Sequence, residues 1–193
     1  MPDLETFDPA RTALLVMDVQ NGIVARIAEG SEALLDRIGK LADAARAAGV
    51  RVIYVIVSFR PGYPEVSPRN LGFAPLKASG MLIDDQVHPA VAPHPGEVVA
   101  TKKRVSAFAG SDLELVLKGQ GVEHLILTGI STSGVVLSTV RQAADADYRL
   151  TVVEDCCFDG DAEVHSVLVG KVFPRQATVA TAEALIAALA AQA

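Results

Sequence analysis

The sequence predicts an α/β protein: a doubly wound, six-stranded parallel sheet with helices on both faces, a Rossmann-like three-layer sandwich. Strand-like apolar runs alternate with helix-like ones along almost the whole chain. Such alternation predicts a parallel sheet joined by crossover helices. The strand runs are near-continuous in Val, Ile and Leu, the texture of strands buried on both faces. Polar residues gather where the runs stop, and in open parallel sheets the carboxyl ends of strands are where ligands bind.

The elements follow in order. Leu14-Leu15-Val16-Met17 is the first strand and runs into Asp18-Val19-Gln20-Asn21. Ser31 is expected to cap a helix to about Ala48, with Leu34, Leu35, Ile38, Leu41, Ala42 and Ala45 at helical spacing. Gly49 ends it. Val50 to Val57 is a second strand, closing on Ser58-Phe59-Arg60. Between Pro61 and Gly96 lie seven of the ten prolines, so the segment is no ordinary crossover. It reads as a lid, a pocket wall or a subunit contact, with a plain surface loop as the alternative. Glu97 to Thr101 is a short third strand. Ser111-Asp112-Leu113-Glu114 has the form of a capping box opening a helix to about Gly119. His124 to Thr128 is a fourth strand, followed by a helix from about Val135 to Asp147. Arg149 to Glu154 is a fifth strand, ending in Asp155-Cys156-Cys157. A helix from about Asp161 to Val169 leads to a sixth strand, Ala177 to Ala180. Thr181-Ala182-Glu183 opens a last helix to Ala193. One domain over residues 1–193 is expected, long enough for one sizeable core.

Composition excludes several function classes. The formal net charge is -6 and Lys102-Lys103-Arg104 is the only basic cluster, so no nucleic-acid partner is expected. No apolar run reaches the roughly 20 residues of a membrane span. The opening Met1-Pro2-Asp3-Leu4-Glu5 lacks the pattern of a signal peptide. The two cysteines are adjacent and poorly placed to pair. A reduced, cytoplasmic protein is the expectation.

The chemistry is expected at the strand ends. Asp18 closes an apolar run that contains no Lys or Arg; it is either a reactive carboxylate or the cap of the next turn. With Lys102 at the same sheet edge it could form an acid/base pair, or an ordinary structural salt bridge. The Gly129 to Gly134 turn runs from a strand into a helix, where backbone N–H groups can hold an oxyanion or carboxylate. Its alternative is a tight connecting turn. No phosphate-binding glycine motif and no G-x-S-x-G elbow occurs in a fitting context. His88, His94, His124 and His165 show no ligand spacing, so neither a metal nor a cofactor is expected. Cys156 and Cys157 read as small core residues rather than nucleophiles.

At these positions the chain resembles the isochorismatase-like hydrolase superfamily, also called the cysteine hydrolases. Leu14 to Asn21 is similar to the family's apolar strand ending in D-x-Q-N. Lys102-Lys103-Arg104-Val105-Ser106-Ala107-Phe108 resembles K-x-R-[YF]-S-A-F, and Gly110-Ser111-Asp112-Leu113 follows it. Thr128 to Val136 resembles T-G-V-x-T-x-x-C-V. The resemblance implies Asp18 and Lys102 as catalytic residues, a cis peptide at Ile130–Ser131, and a homodimer or higher homo-oligomer. In the third motif Val135 stands where the family has its nucleophilic cysteine. The resemblance therefore implies a member without that cysteine; the isochorismatases themselves also lack it and cleave a vinyl ether with the Asp as general acid. The D-x-H metal motif of the nicotinamidase branch is missing after Ser58.

The reading that follows is a hydrolase of a small organic substrate, acting on a vinyl ether or on an amide or imide by non-covalent Asp/Lys acid–base catalysis. Ser131, Thr132, Ser133, Gly134 and Val135 would hold an oxyanion or the substrate, and Phe108, Gln20 and Arg60 would shape the pocket. The alternatives are a catalytically silent relative that binds a small molecule or a protein, and serine chemistry from Ser131 or Ser133.

Overall fold

The computed structural model describes residues 8–27, 29–83 and 86–191. Its strands form where the apolar runs lie. Their order in the chain is Thr12–Met17 (β1), Arg51–Val57 (β2), Val98–Lys102 (β3), His124–Ile130 (β4), Arg149–Phe158 (β5) and Thr178–Ala180 (β6). Every residue of β1 and β4 is buried, as central strands covered on both faces require. The helices are Asn21–Val24 (α1), Ser31–Ala47 (α2), Leu76–Ser79 (α3), Leu113–Gly119 (α4), Leu137–Asp145 (α5), Ala162–Val167 (α6) and Ala182–Ala190 (α7).

All sheet pairings are parallel, in the order β3-β2-β1-β4-β5-β6. The winding reverses between β1 and β4, so the carboxyl ends of those two strands flank the topological switch point, where such sheets bind ligands. The register places Met17 beside Val55 on one side and Gly129 on the other. Gly129 has φ +145°, and a Cβ there would lie 2.3 Å from the Met17 carbonyl oxygen. Only glycine lets β4 approach β1 this closely.

The strand side chains divide between two apolar layers by their period of two. Leu15, Met17, Val55, Leu127 and Val152 pack with Leu113 and Leu117 of α4 and Val140 and Ala143 of α5. Leu14, Val16, Tyr54 and Ile126 pack with Leu34, Ile38 and Leu41 of α2 and Leu185 and Leu189 of α7. This is the expected six-stranded, three-layer fold.

Three local expectations are corrected. The N-cap of α2 is Gly30, in the left-handed region at φ 81°, so Ser31 is already the first helical residue. The Ser111 capping box does not form: Ser111 Oγ donates to the Ala107 carbonyl and accepts from the Leu113 N–H, while Glu114 pairs with Lys118. β5 continues to Phe158 because it bulges: from Leu127 to Gly129, β4 is matched against Val152 to Cys157 of β5.

The Pro-rich segment is a built cap. Val57, Phe59, Tyr63 and Val66 form a third buried cluster, joined by Phe73, Leu76, Leu82 and Ile83. Phe59 N–H donates to the Leu82 carbonyl at 2.8 Å, and His88 N–H to the Val19 carbonyl at 2.9 Å. The segment thus lies across the carboxyl ends of β1 and β2.

Candidate active site

β1 ends at Asp18, whose φ of 58° turns the chain out of the sheet. Asp tolerates this left-handed conformation better than most residues do. The Asp18 N–H still bonds to the Val55 carbonyl at 2.8 Å, so the turn is anchored to β2. Lys102 is the last residue of β3, in register with Val57. Its four-carbon stem spans the end of β2, and its Nζ lies 2.9 Å from Asp18 Oδ2. The ammonium also donates to the Arg104 carbonyl at 3.0 Å. The two side chains are 2% and 8% exposed.

Charges this deeply buried cost stability unless paired. Burial pushes the Asp18 carboxyl up to about 6, although the Lys102 charge and hydrogen bond oppose it. Asp18 Oδ1 is also buried, and among the described residues it meets no hydrogen-bond donor. Asp18 is therefore a carboxyl group that can hold or release a proton near neutral pH, with one oxygen fixed by an ammonium and the other unused by the fold.

At the end of β4 the Ile130–Ser131 peptide is cis. The chain then makes one wide, π-helical turn, Thr132–Val136, before α5. The Ser131 carbonyl accepts the N–H groups of Gly134 and Val136, each at 3.2 Å. A Cβ on Gly134 would sit 2.6 Å from Ser131 Oγ and 3.9 Å from a Val105 methyl, so the turn packs closely against the segment after Lys102. Ser133 N–H donates to Asp159 Oδ2 at 2.7 Å, and Thr132 Oγ1 lies 2.8 Å from His165 Nδ1. Val135 is buried in the apolar cluster that also holds Met17, Phe108 and Val136.

The structure brings Asp18 and Lys102 together and sets the 131–136 turn beside the segment that follows Lys102. Three other pocket candidates take partners outside the Asp18–Lys102 pair. Gln20 is fully buried and spends both ends of its amide on Val57: Oε1 accepts from the N–H at 2.8 Å and Nε2 donates to the carbonyl at 3.1 Å. It stitches β1 to β2. Arg60 points to solvent, 70% exposed, and pairs with Glu65. Phe108 places its ring 6.1 Å from Tyr148, inside the layer under α4 and α5. Asp155, at the predicted end of the fifth strand, is bound to two helices. Its Oδ1 accepts the Ala182 N–H at the start of α7, and its carbonyl accepts from Arg37 of α2.

The cysteines are core residues of β5, both unpaired and buried. Burial pushes the Cys156 thiol up to about 12 and raises that of Cys157 as well. Two residues that the sequence did not place beside the 131–136 turn are Asp159, which it passed over, and His165, weighed only as a metal ligand. Their signal was present: Asp159 and Asp161 bracket a glycine before α6, and His165 stands one turn into that helix. Among the described residues no group of three or more His, Cys, Asp or Glu could hold a metal ion. No described helix is long and apolar enough to cross a membrane.

A family model described as the isochorismatase domain matches residues 12–184. An uncharacterised isochorismatase family protein, YecD, of Escherichia coli O157:H7 is 34% identical over 181 residues, spanning 92% of this chain and 96% of that protein. A solved isochorismatase family protein from Burkholderia thailandensis is 31% identical, with a TM-score of 0.83 over 96% of this chain and 98% of the other. A cysteine hydrolase from Pseudomonas syringae pv. phaseolicola 1448A gives a TM-score of 0.85 over 97% and 96% of the two chains. At 24% identity that likeness is one of fold.

Proposed function

The chain belongs to the isochorismatase family, and from that premise we propose that it hydrolyses a small organic substrate by proton transfer at Asp18, with Lys102 as its charge partner and without a cysteine nucleophile. The observation that carries the reading is the buried Asp18–Lys102 pair, its Oδ1 unused by the fold, at the switch point of the sheet. The bond cleaved is either the C–O bond of a vinyl ether or the C–N bond of an amide or imide. For a vinyl ether, protonated Asp18 delivers its proton to the terminal vinyl carbon, water adds to the oxocarbenium carbon and returns a proton to Asp18, and the hemiketal breaks its C–O bond to leave a ketone and an alcohol. For an amide or imide, ionised Asp18 removes a proton from the attacking water and returns it to the leaving nitrogen as the C–N bond breaks. In both, the Lys102 ammonium stabilises negative charge that builds beside it.

Position 135 carries valine, which has no nucleophilic atom, and the two cysteines are buried in β5 with raised thiol pKa values. These facts support a route through water. The proposal extends to single-domain organisation over residues 1–193, a homo-oligomeric state and a cytoplasmic location. The same valine favours the second reading, a silent relative that binds a small molecule or a protein partner.

Turnover of two substrate panels tests the proposal: vinyl-ether acids including isochorismate, and simple amides and imides, each with the native protein and Asp18→Asn. Loss of at least about a hundredfold on one panel is expected, the size of a general acid or base contribution. Turnover that survives Asp18→Asn unchanged contradicts it. A ligand that raises the melting temperature and is recovered intact supports the silent reading.

A further inference from the structure

Outside the Asp18–Lys102 pair, four polar residues converge at the carboxyl ends of β4 and β5. Thr132 is fully buried, and its hydroxyl is 2.8 Å from His165 Nδ1. Asp159 accepts the Ser133 N–H at 2.7 Å on one oxygen and the Asp161 N–H at 3.3 Å on the other. Asp161 in turn caps α6, accepting the N–H groups of Glu163 and Val164 at 2.9 and 3.1 Å. Its carbonyl accepts the His165 N–H at 3.0 Å. The acid, the cap and the imidazole thus form one unit, built on the start of α6 and gripping two successive residues of the 131–136 turn.

A hydroxyl beside an imidazole suggests nucleophile and base, but the surroundings argue otherwise. The hydroxyl is sealed from solvent, and both Asp159 oxygens accept backbone N–H groups. Burial raises the Asp159 carboxyl, but hydrogen bonds from Ser133 and Asp161 and the His165 charge outweigh it and hold the group below the usual carboxylate range. Asp159 is therefore an anion used as a backbone anchor. The wide turn it grips has its N–H at Ser133 spent on that anchor and those at Gly134 and Val136 spent on the Ser131 carbonyl. A turn held this way keeps one shape, and preorganised geometry is what a site needs where charge develops.

We propose that His165 and Asp159 are positioning residues: through the Thr132 hydroxyl and the Ser133 N–H they fix the 131–136 turn beside the Lys102–Val105 segment. The catalytic half of this inference rests on the reading of that sheet edge as the active site.

The test uses the full chain with Asp159→Ala, His165→Ala and His165→Asn, the last offering an amide near the place of Nδ1. Backbone hydrogen exchange comes first. Exchange across residues 132–136 is expected to rise about tenfold or more in Asp159→Ala, the scale of one lost charge-assisted hydrogen bond, and at least about threefold in His165→Ala, which loses a hydroxyl–imidazole bond. β1 and β2 should keep their protection, and His165→Asn should restore much of it in the turn. Unchanged exchange in the turn overturns the proposal whether or not a substrate is known. On a substrate whose turnover depends on Asp18, the alanine variants should lower kcat by a similar factor with KM little changed. Faster exchange with unchanged kcat removes the catalytic half and leaves the Asp18 reading intact. Turnover insensitive to Asp18→Asn defeats that reading and leaves the brace to be judged by exchange.

Discussion

The two ends of the sheet differ in how deeply they bury charge. At the amino end lies an open cleft of about 580 Å³, lined by Arg11, Lys118, Glu123, His124, Tyr148 and Arg149 among others. Its ion pairs are exposed: Arg11–Glu123 at 55% and 60%, Lys118–Glu114 at 66% and 51%. His124 is buried there and bonded to Thr151, but burial and the Arg149 charge push it down to about 4, so it stays neutral at pH 7. At the carboxyl end is a pair with both side chains less than one-tenth exposed, the one such pair among the described residues. Surface pairs contribute roughly 0–1 kcal/mol each, whereas a buried pair imposes a desolvation cost on the fold. The two edges differ in charge held out of water, and the proposed function rests on that buried charge rather than on the volume of a cleft.

The largest effect that would sharpen this contrast is breaking the buried pair. Lys102→Met leaves Asp18 buried without its ammonium, and about 3–5 kcal/mol of stability should be lost at pH 8, as for other buried pairs deprived of one partner. The loss should shrink at pH 5. Burial already holds the Asp18 carboxyl at about 6, above its unfolded value of 3.8, and without the ammonium it rises further. The folded state then binds the proton more tightly than the unfolded one, so stability is retained at low pH and falls as pH rises through the folded pKa. Urea denaturation at the two pH values measures this; equal losses would contradict it.

The smallest effect lies at the other end. Arg11→Ala should change stability by less than about 1 kcal/mol, as expected of an exposed pair. It should leave turnover unchanged. A loss comparable to that of Lys102→Met would erase the distinction between the two edges.

Much of this was legible in the sequence because a central parallel strand is apolar on both faces. Leu14 to Met17 and Val52 to Val57 have no other stable placement than the middle of a sheet. Asp18 was legible as an acid at the end of such a run, and Lys102 as the basic residue just past the predicted third strand, which the structure extends to include it. Side-chain commitments were not. Gln20 looks like a site residue from its place beside Asp18, yet its amide matches the Val57 peptide and is consumed by it. Arg60 finds Glu65 five residues on. The β5 bulge was hidden because Asp155 reads as a strand end, whereas its polar atoms are satisfied by α7 and α2 and the strand continues. The Asp159–His165 unit joins residues from two elements across a turn, a contact that local pattern does not encode.

Burial holds one carboxyl group, Asp18, well above the usual aspartate range against a buried ammonium. The most direct measurement is a 13C NMR titration of the Asp18 carboxyl, assigned by its loss in Asp18→Asn, in the native protein and in Lys102→Met. A midpoint of about 6 is expected in the native protein and a higher one in the variant. A midpoint near the ordinary aspartate value of about 4, unmoved by removing Lys102, would contradict it.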